Sequence, residues 1–331
     1  MAISVKIMPK PIIADFFMHG LSYALQYSAY TNGNRRMNQL AQCLSGLALE
    51  EGYNGTHLSG VGVFKASESR QREPLCYSQG IFVVAQGAKR VYLEQKVYEY
   101  NPENYLVLTL PIPAECETRV APGEPLLSLL IDIDLSLLHP LVRLFDEYNQ
   151  TSDASEGGIE SRSLYVCPVS EVFSATVLRL AQCLHSPLQS AALGRGLIQE
   201  LLFLILCSEQ AEPLFALARH NTSLARLERA LKYMHEHYDQ NLDVERLASL
   251  ANMSPSTFHR NFRQMTASSP IQYLKKLRLS RARELLQDQG LRVKQAAAMV
   301  GYESPTQFSR SYDHFWCLKR KTGGVPCQKH S

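Results

Sequence analysis

The spacing of hydrophobic positions changes along the chain. Residues 36–49 carry apolar side chains at helical spacing and predict one amphipathic helix. From Gly60 to Ile133, short runs rich in Val, Leu, Ile and Tyr are separated by Pro, Gly, Asn and Glu clusters, which predicts several short strands in a sandwich or small barrel. A polar stretch at 150–163 predicts a loop or linker, and the apolar segments beyond it return to helical spacing. The pattern predicts a β-rich half followed by an α-helical half.

Two details refine this prediction. The segment KRVYLEQKVYEYNPENYLVL, residues 89–108, predicts three strands joined by two turns, which is a meander. Two strongly apolar helices, Val172–His185 and Leu193–Glu209, are expected to pack on each other, on the barrel or on a second subunit. The longest apolar run, Leu201–Cys207, is far shorter than the roughly 20 residues that span a bilayer, so no membrane partner is expected.

A repeat dominates the helical half. SPSTFHRNF, residues 254–262, returns as SPTQFSRSY, residues 304–312, and the match extends upstream through 242–253 and 291–302. Each copy predicts a helix, a tight turn and a second helix, with Ala248 and Ala297 where the two helices cross closely. In each copy, Ser followed by Pro is a favourable start for the second helix. The buried positions are predicted to be Leu247, Phe258 and Phe262 in one copy and Ala296, Phe308 and Tyr312 in the other.

The remaining positions of each second helix form an exposed polar face. Short polar groups and one arginine in the first turns of a helix suit a DNA major groove, where Arg can bond guanine and Gln can read adenine. The sequence therefore predicts two helix-turn-helix units, although similar helical hairpins also occur in plain bundles. The exposed residues are Ser256, Thr257, His259, Arg260 and Arg263 in the first unit and Thr306, Gln307, Ser309 and Arg310 in the second.

Charge and length support this prediction. The chain has 331 residues, enough for two domains, and a net charge of +3. Residues 222–331 hold 18 Lys or Arg against 9 Asp or Glu, whereas the other residues hold 16 against 22. A basic half is typical of a polyanion-binding surface, although many basic surfaces are only solvated. Between the two units, a helix of roughly 17 residues would span about 25 Å and could place the recognition helices in successive major grooves.

Residues 224–315 resemble the DNA-binding domain of the AraC/XylS family of bacterial transcription regulators. The resemblance is carried most clearly by AAAMVGYESPTQFSRSYDHF in the second unit. It implies that Ser256, His259 and Arg260 face bases in one groove. It also implies that Thr306, Gln307, Ser309 and Arg310 face bases in the next groove. Arg263, Ser304 and the amides at the helix starts would then hold phosphates.

Residues 37–210 resemble the N-terminal effector domain of one AraC-type subgroup, through LEEGYNGTHLSGVGVF and FVVAQGAKRVYLEQKVYEYNPENYLVL. The resemblance implies a cupin-like β-barrel that binds a small-molecule effector, followed by helices that pair subunits into a homodimer. It also implies promoter DNA as a partner, RNA polymerase if the protein is an activator, and a cytoplasmic location. The expected organisation is an unassigned arm at 1–35, an effector and dimerisation region at 36–220, a DNA-binding domain at 221–317 and an atypical tail at 318–331.

Two other classes of protein are alternatives to a transcription regulator. A metal-dependent cupin-type enzyme needs a His and Glu cluster, but His57 is isolated, Glu115 and Glu117 have no nearby His, and His19 precedes the barrel. No metal, catalytic residue or cofactor is therefore expected. An oligomerisation or adaptor protein is the second alternative, and it requires that DNA binding be disabled.

Three smaller features of the sequence concern its cysteines, its paired histidines and its C-terminal end. Cys76 and Cys116 could sense electrophiles, but free cysteines are more often inert small hydrophobic residues. His235 and His237 are two apart on a helix and are predicted to lie at the surface. After Phe315, the AraC/XylS pattern continues with a glycine, a nearby proline and a short final helix, whereas this chain reads WCLKRKTGGVPCQKHS. This departure predicts weaker packing behind the second recognition helix.

Overall fold

The computed structural model describes residues 36, 38–148, 163–219, 222–287 and 290–320. The predictions for the N-terminal arm at 1–35, for most of the polar stretch at 150–163 and for the tail after residue 320 fall outside the described residues. Helix α1, residues 38–47, matches the first amphipathic helix of the sequence pattern.

The described residues of the N-terminal half contain ten strands, which form two antiparallel sheets. One sheet has six strands in the order β1-β2-β9-β4-β7-β10, and the other has four in the order β3-β8-β5-β6. The strands are β1 Gly52–Gly55, β2 Val61–Ala66, β3 Arg70–Tyr77, β4 Gly80–Gln86, β5 Ala88–Leu93, β6 Lys96–Tyr100, β7 Asn104–Leu108, β8 Ile112–Arg119, β9 Leu126–Ile131 and β10 Leu164–Pro168. The sheets face each other across an apolar core without closing into a complete barrel. The predicted fold class, a cupin-like β-rich half followed by an all-α half, is confirmed.

The central strands of the six-stranded sheet are buried on both faces, and strand β4 shows why their sequences lack alternation. Phe82 and Val84 point into the core between the sheets. Ile81 and Val83 point into a second core on the outer face, the helix-side core. That outer face is covered by α1 and by four later helices. These are α2 Leu135–Tyr148, α3 Glu171–Cys183, α4 Pro187–Leu206 and α5 Glu212–Ala218.

Helix α4 is long and apolar enough, by length and composition alone, to cross a membrane. The same test is passed by core helices of soluble proteins. Leu201, Leu202 and Ile205 on one of its faces are fully buried in the helix-side core, where α4 packs on α3.

The described residues of the C-terminal half form six helices, four of which belong to the repeat. They are α6 Ser223–Glu236, α7 Val244–Leu250, α8 Pro255–Thr266, α9 Pro270–Gln287, α10 Val293–Met299 and α11 Pro305–Arg320. Helices α7 and α8 form the first helix-turn-helix unit, α10 and α11 form the second, and α9 is the spacer helix between them. The apolar core of the first unit is continuous with the helix-side core behind the six-stranded sheet.

The meander prediction is wrong at its second turn. Strands β5 and β6 pair as expected, but β6 lies at the edge of the four-stranded sheet and β7 lies inside the six-stranded sheet. The turn at Asn101–Asn104 therefore carries the chain from one sheet to the other. The sequence pattern also missed β1, β3, β10, α2 and α5. Short or mixed-polarity elements of this kind are held by neighbouring elements more than by their own periodicity.

Candidate nucleic-acid interface

The first unit folds around the small residue that the sequence placed at its crossing. Ala248 is buried, and its carbonyl accepts a hydrogen bond of 3.0 Å from the amide of Met253. The turn passes through Asn252, which has a positive φ of 50°. Ser254 then caps α8 by accepting a hydrogen bond of 3.3 Å from the Thr257 amide. Phe258 and Phe262 on the inner face of α8 are fully buried, as predicted.

The second unit repeats this geometry. The carbonyl of buried Ala297 accepts a hydrogen bond of 3.0 Å from the Tyr302 amide. The turn glycine, Gly301, has a φ of 77°. Ser304 caps α11 by accepting a hydrogen bond of 3.3 Å from the Gln307 amide. In both units the turn hydrogen bond joins residues five apart, but the capping serine comes one residue later in the second unit. The extra residue of the second copy is therefore Glu303.

The predicted DNA-facing residues lie along the outer side of each recognition helix. Most of them are exposed, and these are Ser256, His259, Arg260, Arg263, Thr306, Gln307 and Arg310. Thr257 and Ser309 are half-buried. Thr257 takes part in the cap of α8, because the Ser254 hydroxyl donates to its Oγ1 atom at 2.9 Å. The contacts of all these residues with DNA remain a prediction.

The first recognition helix also faces the barrel, which the sequence pattern did not indicate. Arg260 and Arg263 line a cavity of about 480 Å³ whose opposite wall includes Glu94 and Lys96 of the β5–β6 hairpin. A second cavity of about 230 Å³ lies nearby and is lined by Lys276 of α9 on one side and by strands β3, β5 and β8 on the other. Both cavities lie between the two halves of the chain.

Three polar contacts hold the barrel against the helical half. The guanidinium of Arg283 on α9 pairs with the carboxylate of Glu73 on β3 at 2.7 Å. The Tyr273 hydroxyl donates to the Pro111 carbonyl at 2.9 Å, and the Ser163 hydroxyl donates to the Met265 carbonyl at 2.6 Å. These partners are far apart in sequence, so only the folded chain brings them together.

Buried side chains from both sheets form the core between them. Tyr77 and Tyr100 are buried there, and their hydroxyl oxygens lie 3.2 Å apart. Tyr77 also donates to the Cys116 sulfur at 2.9 Å. Cys76 points instead toward α9, and burial raises the pKa of its thiol to about 12. A thiol with so high a pKa is protonated at neutral pH and is a poor nucleophile.

Within the described part of the chain, no three His, Cys, Asp or Glu side chains come together as a metal site would require. The surface prediction for His235 is wrong. Its side chain is half-buried and its Nε2 atom lies 2.7 Å from the Tyr273 hydroxyl. Burial lowers the pKa of this imidazole to about 4. Tyr273 is brought close by the helix packing, which adjacent sequence does not reveal.

The helix α11 runs past the point where the sequence departs from the AraC/XylS pattern. It continues through Phe315 to Arg320. Trp316 packs beneath Arg283, whose guanidinium carbon lies 4.5 Å from the ring centre. The indole N–H of Trp316 is buried and meets no acceptor among the described residues. Weaker DNA binding as a result of this tail remains a prediction.

Comparison with known proteins connects both halves to one family. Residues 57–213 match the model of the AraC-type transcriptional regulator N-terminus, and residues 247–317 match a helix-turn-helix domain. The chain belongs to the AraC/XylS family of transcription regulators. As a member, it is a DNA-binding transcription regulator and not an enzyme.

Individual relatives agree with this assignment. The virulence regulon transcriptional activator VirF of Yersinia enterocolitica is 24% identical over 267 residues, which cover 80% of this chain and 91% of VirF. The transcriptional activator RhaS of Escherichia coli O9:H4 is 30% identical over 125 residues, 38% of this chain and 43% of RhaS. The fold is similar to that of ToxT from Vibrio cholerae solved with an unsaturated fatty acid bound, with a TM-score of 0.51 and 9% identity, over 78% of this chain and 91% of ToxT.

Proposed function

We propose that this member of the AraC/XylS family is a sequence-specific transcriptional activator whose two recognition helices read successive major grooves of promoter DNA. The main support for this proposal is the matched pair of units, each with a capped recognition helix and an exposed polar face. The base-facing residues would be those predicted from the sequence, while Arg263 and Ser304 would contact phosphates. The activator role is supported by the names of two relatives, and it implies RNA polymerase as a partner and a cytoplasmic location.

Selection from a randomised DNA pool tests this function. The protein is mixed with the pool at physiological salt, and the retained DNA is sequenced. We expect an enriched motif with two short blocks about one helical turn apart, because the recognition helices would enter successive major grooves. Salt-sensitive binding without an enriched motif would instead show that the contacts are to phosphates alone.

We further propose that an anionic small molecule regulates DNA binding from the larger cavity between the two halves. Arg260 and Arg263 line this cavity together with Lys96, so three cationic side chains outnumber its one carboxylate, that of Glu94. The two arginines are also candidate DNA contacts, and one guanidinium cannot satisfy both partners at once. An occupied cavity would therefore favour the population that does not bind DNA.

An unsaturated fatty acid is a suitable first probe, since a relative of the same fold was solved with one. We expect the acid to weaken promoter binding by about fivefold, within the usual range of coupling between two sites. The uncharged methyl ester should have little effect. Lys96→Ala should bind DNA as the wild type does but respond less to the acid. Equal responses to acid and ester, measured by fluorescence anisotropy of labelled promoter DNA, would contradict an anion site.

We also propose that α4 pairs two copies of the chain into a homodimer. Leu188, Ala192, Gly196 and Phe203 lie on one face of α4 and are exposed. At Gly196 the space outside the backbone is open, with nothing within 4 Å of a Cβ added there. A stripe of small and apolar residues of this kind lets two helices approach closely.

The dimer is tested by Phe203→Glu. A buried unpaired carboxylate within this apolar contact should raise the dimer dissociation constant by at least about tenfold. Sedimentation velocity measures this change, and Gln182→Glu, an exposed position on α3, serves as the control for added charge. A wild-type chain that sediments as a monomer at all concentrations would contradict the dimer.

A further inference from the structure

The two helix-turn-helix units have separate apolar cores. The first unit buries Leu247, Phe258 and Phe262 in the large helix-side core. The second buries its own cluster, which includes Ala297 and Phe308. Their relative orientation therefore does not follow from one shared core, and contacts across the junction must help to set it.

The junction is a direct backbone contact. The loop that follows α6 meets the turn of the second unit, where a Cβ added to Gly301 would lie 2.1 Å from the carbonyl oxygen of Asp239. Tyr238 in the same loop is partly buried and packs against both cores. Because α6 packs on both helices of the first unit, this loop moves with that unit.

One side chain of the spacer helix binds both sides of this junction. The guanidinium of Arg278 donates from Nε to the Tyr238 carbonyl at 2.6 Å and from Nη2 to the Gln240 carbonyl at 2.7 Å. Its Nη1 atom donates to the Gly301 carbonyl at 3.1 Å. The planar guanidinium fixes the directions of its N–H groups, so these three bonds hold the first unit and the second unit in one register.

We propose that Arg278 is a positioning residue that sets which spacing of two DNA blocks the protein accepts. It acts through the recognition helices rather than by touching DNA, and the inference rests on the proposed reading of two grooves. Each added base pair displaces the second block by about 3.4 Å and rotates it by about 34° around the DNA axis. A rigid junction rejects such a shift, whereas a junction without the three Arg278 hydrogen bonds can move to follow it.

The test uses the two blocks selected by the wild-type protein. Both blocks are kept, and the spacer between them is lengthened or shortened by one or two base pairs. Arg278→Met removes all three donors but keeps an apolar stem, and Arg278→Lys keeps the charge with different geometry. Arg281→Met is the matched control, because the ion pair of Arg281 with Glu284 at 2.9 Å stays within the spacer helix.

We expect the wild type and Arg281→Met to prefer one spacer. Arg278→Met should reduce the preference over spacers that differ by one base pair by about tenfold, as loss of charge-assisted hydrogen bonds would allow. Base preference within each block should stay unchanged, and Arg278→Lys should fall between the two. A merely destabilising change would instead lower the melting temperature without altering the spacer profile.

Three results would overturn the inference. The first is an unchanged spacer profile in folded Arg278→Met. The second is a wild-type spacer profile in Arg278→Lys, which decides the question if Arg278→Met does not fold. The third is a wild-type protein that selects two blocks but tolerates every spacer equally. A wild type that selects no paired blocks would refute the proposed reading of two grooves, which is a different and earlier failure.

Discussion

Replacing Gly301 by alanine is expected to lower the free energy of unfolding of the helical half by at least about 3 kcal/mol and to abolish paired DNA recognition. Gly301 has a φ of 77°, a conformation that costs an alanine energy. The new Cβ would also lie 2.1 Å from the Asp239 carbonyl oxygen, and this is a backbone atom that cannot rotate away. The junction between the two units must therefore open to accept the methyl group.

Gly290→Ala is the matched control for this prediction. Gly290 lies beyond the end of the spacer helix and has a φ of 63°, but nothing lies within 4 Å of a Cβ added there. Its cost should be only about 1 kcal/mol, which reflects backbone conformation alone. Urea denaturation followed by circular dichroism measures both variants. Equal losses of stability would show that the contact with Asp239 does not matter.

Arg260→Ala and Arg310→Ala are each expected to weaken specific DNA binding by about 1 to 3 kcal/mol and to relax base preference at one position of the motif. Both side chains are exposed on recognition helices, so the fold should not change. The positions that relax should lie in different blocks, because the two residues belong to different units. Binding titrations against the selected site and its single-base variants measure both effects.

Lys232→Ala removes the same charge from an exposed position on α6 and serves as the control. If Arg260→Ala weakened binding to all sequences equally, as a phosphate contact would, the assignment of Arg260 to bases would be wrong. Arg260→Ala has a further consequence that Arg310→Ala should not share. Because only Arg260 of the two lines the cavity between the halves, its loss should also reduce the response to an anionic ligand.

The arrangement of the halves suggests how these two roles are connected. The barrel packs on the spacer helix through Glu73 and Arg283, and its β5–β6 hairpin faces the first recognition helix. The second recognition helix, α11, includes Trp316, which packs under the same Arg283. Both recognition helices are therefore connected to the barrel surface through neighbouring contacts, which gives a ligand between the halves a physical route to DNA binding.

The sequence by itself determined the two helix-turn-helix units. Their signal is local, since Ser254 and Ser304 cap helices within three residues and Ala248 and Ala297 bond to turns five residues on. Apolar spacing also separated the β-rich half from the helical half. Such features depend on contacts within one or two turns of chain, and a repeated pattern makes them easy to recognise.

Only the tertiary structure decided how these parts are arranged. Glu73 and Arg283 are 210 residues apart, and Arg278 reaches a loop 40 residues upstream and a turn 23 residues downstream. His235 forms a hydrogen bond with Tyr273, which lies on a different helix. None of these partners follows from periodicity, because each depends on which faces of helices and sheets meet. The passage of β6 into β7 between the two sheets has the same cause. A turn motif sets the reversal of the chain, but the packing of the sheets decides which neighbour the next strand finds.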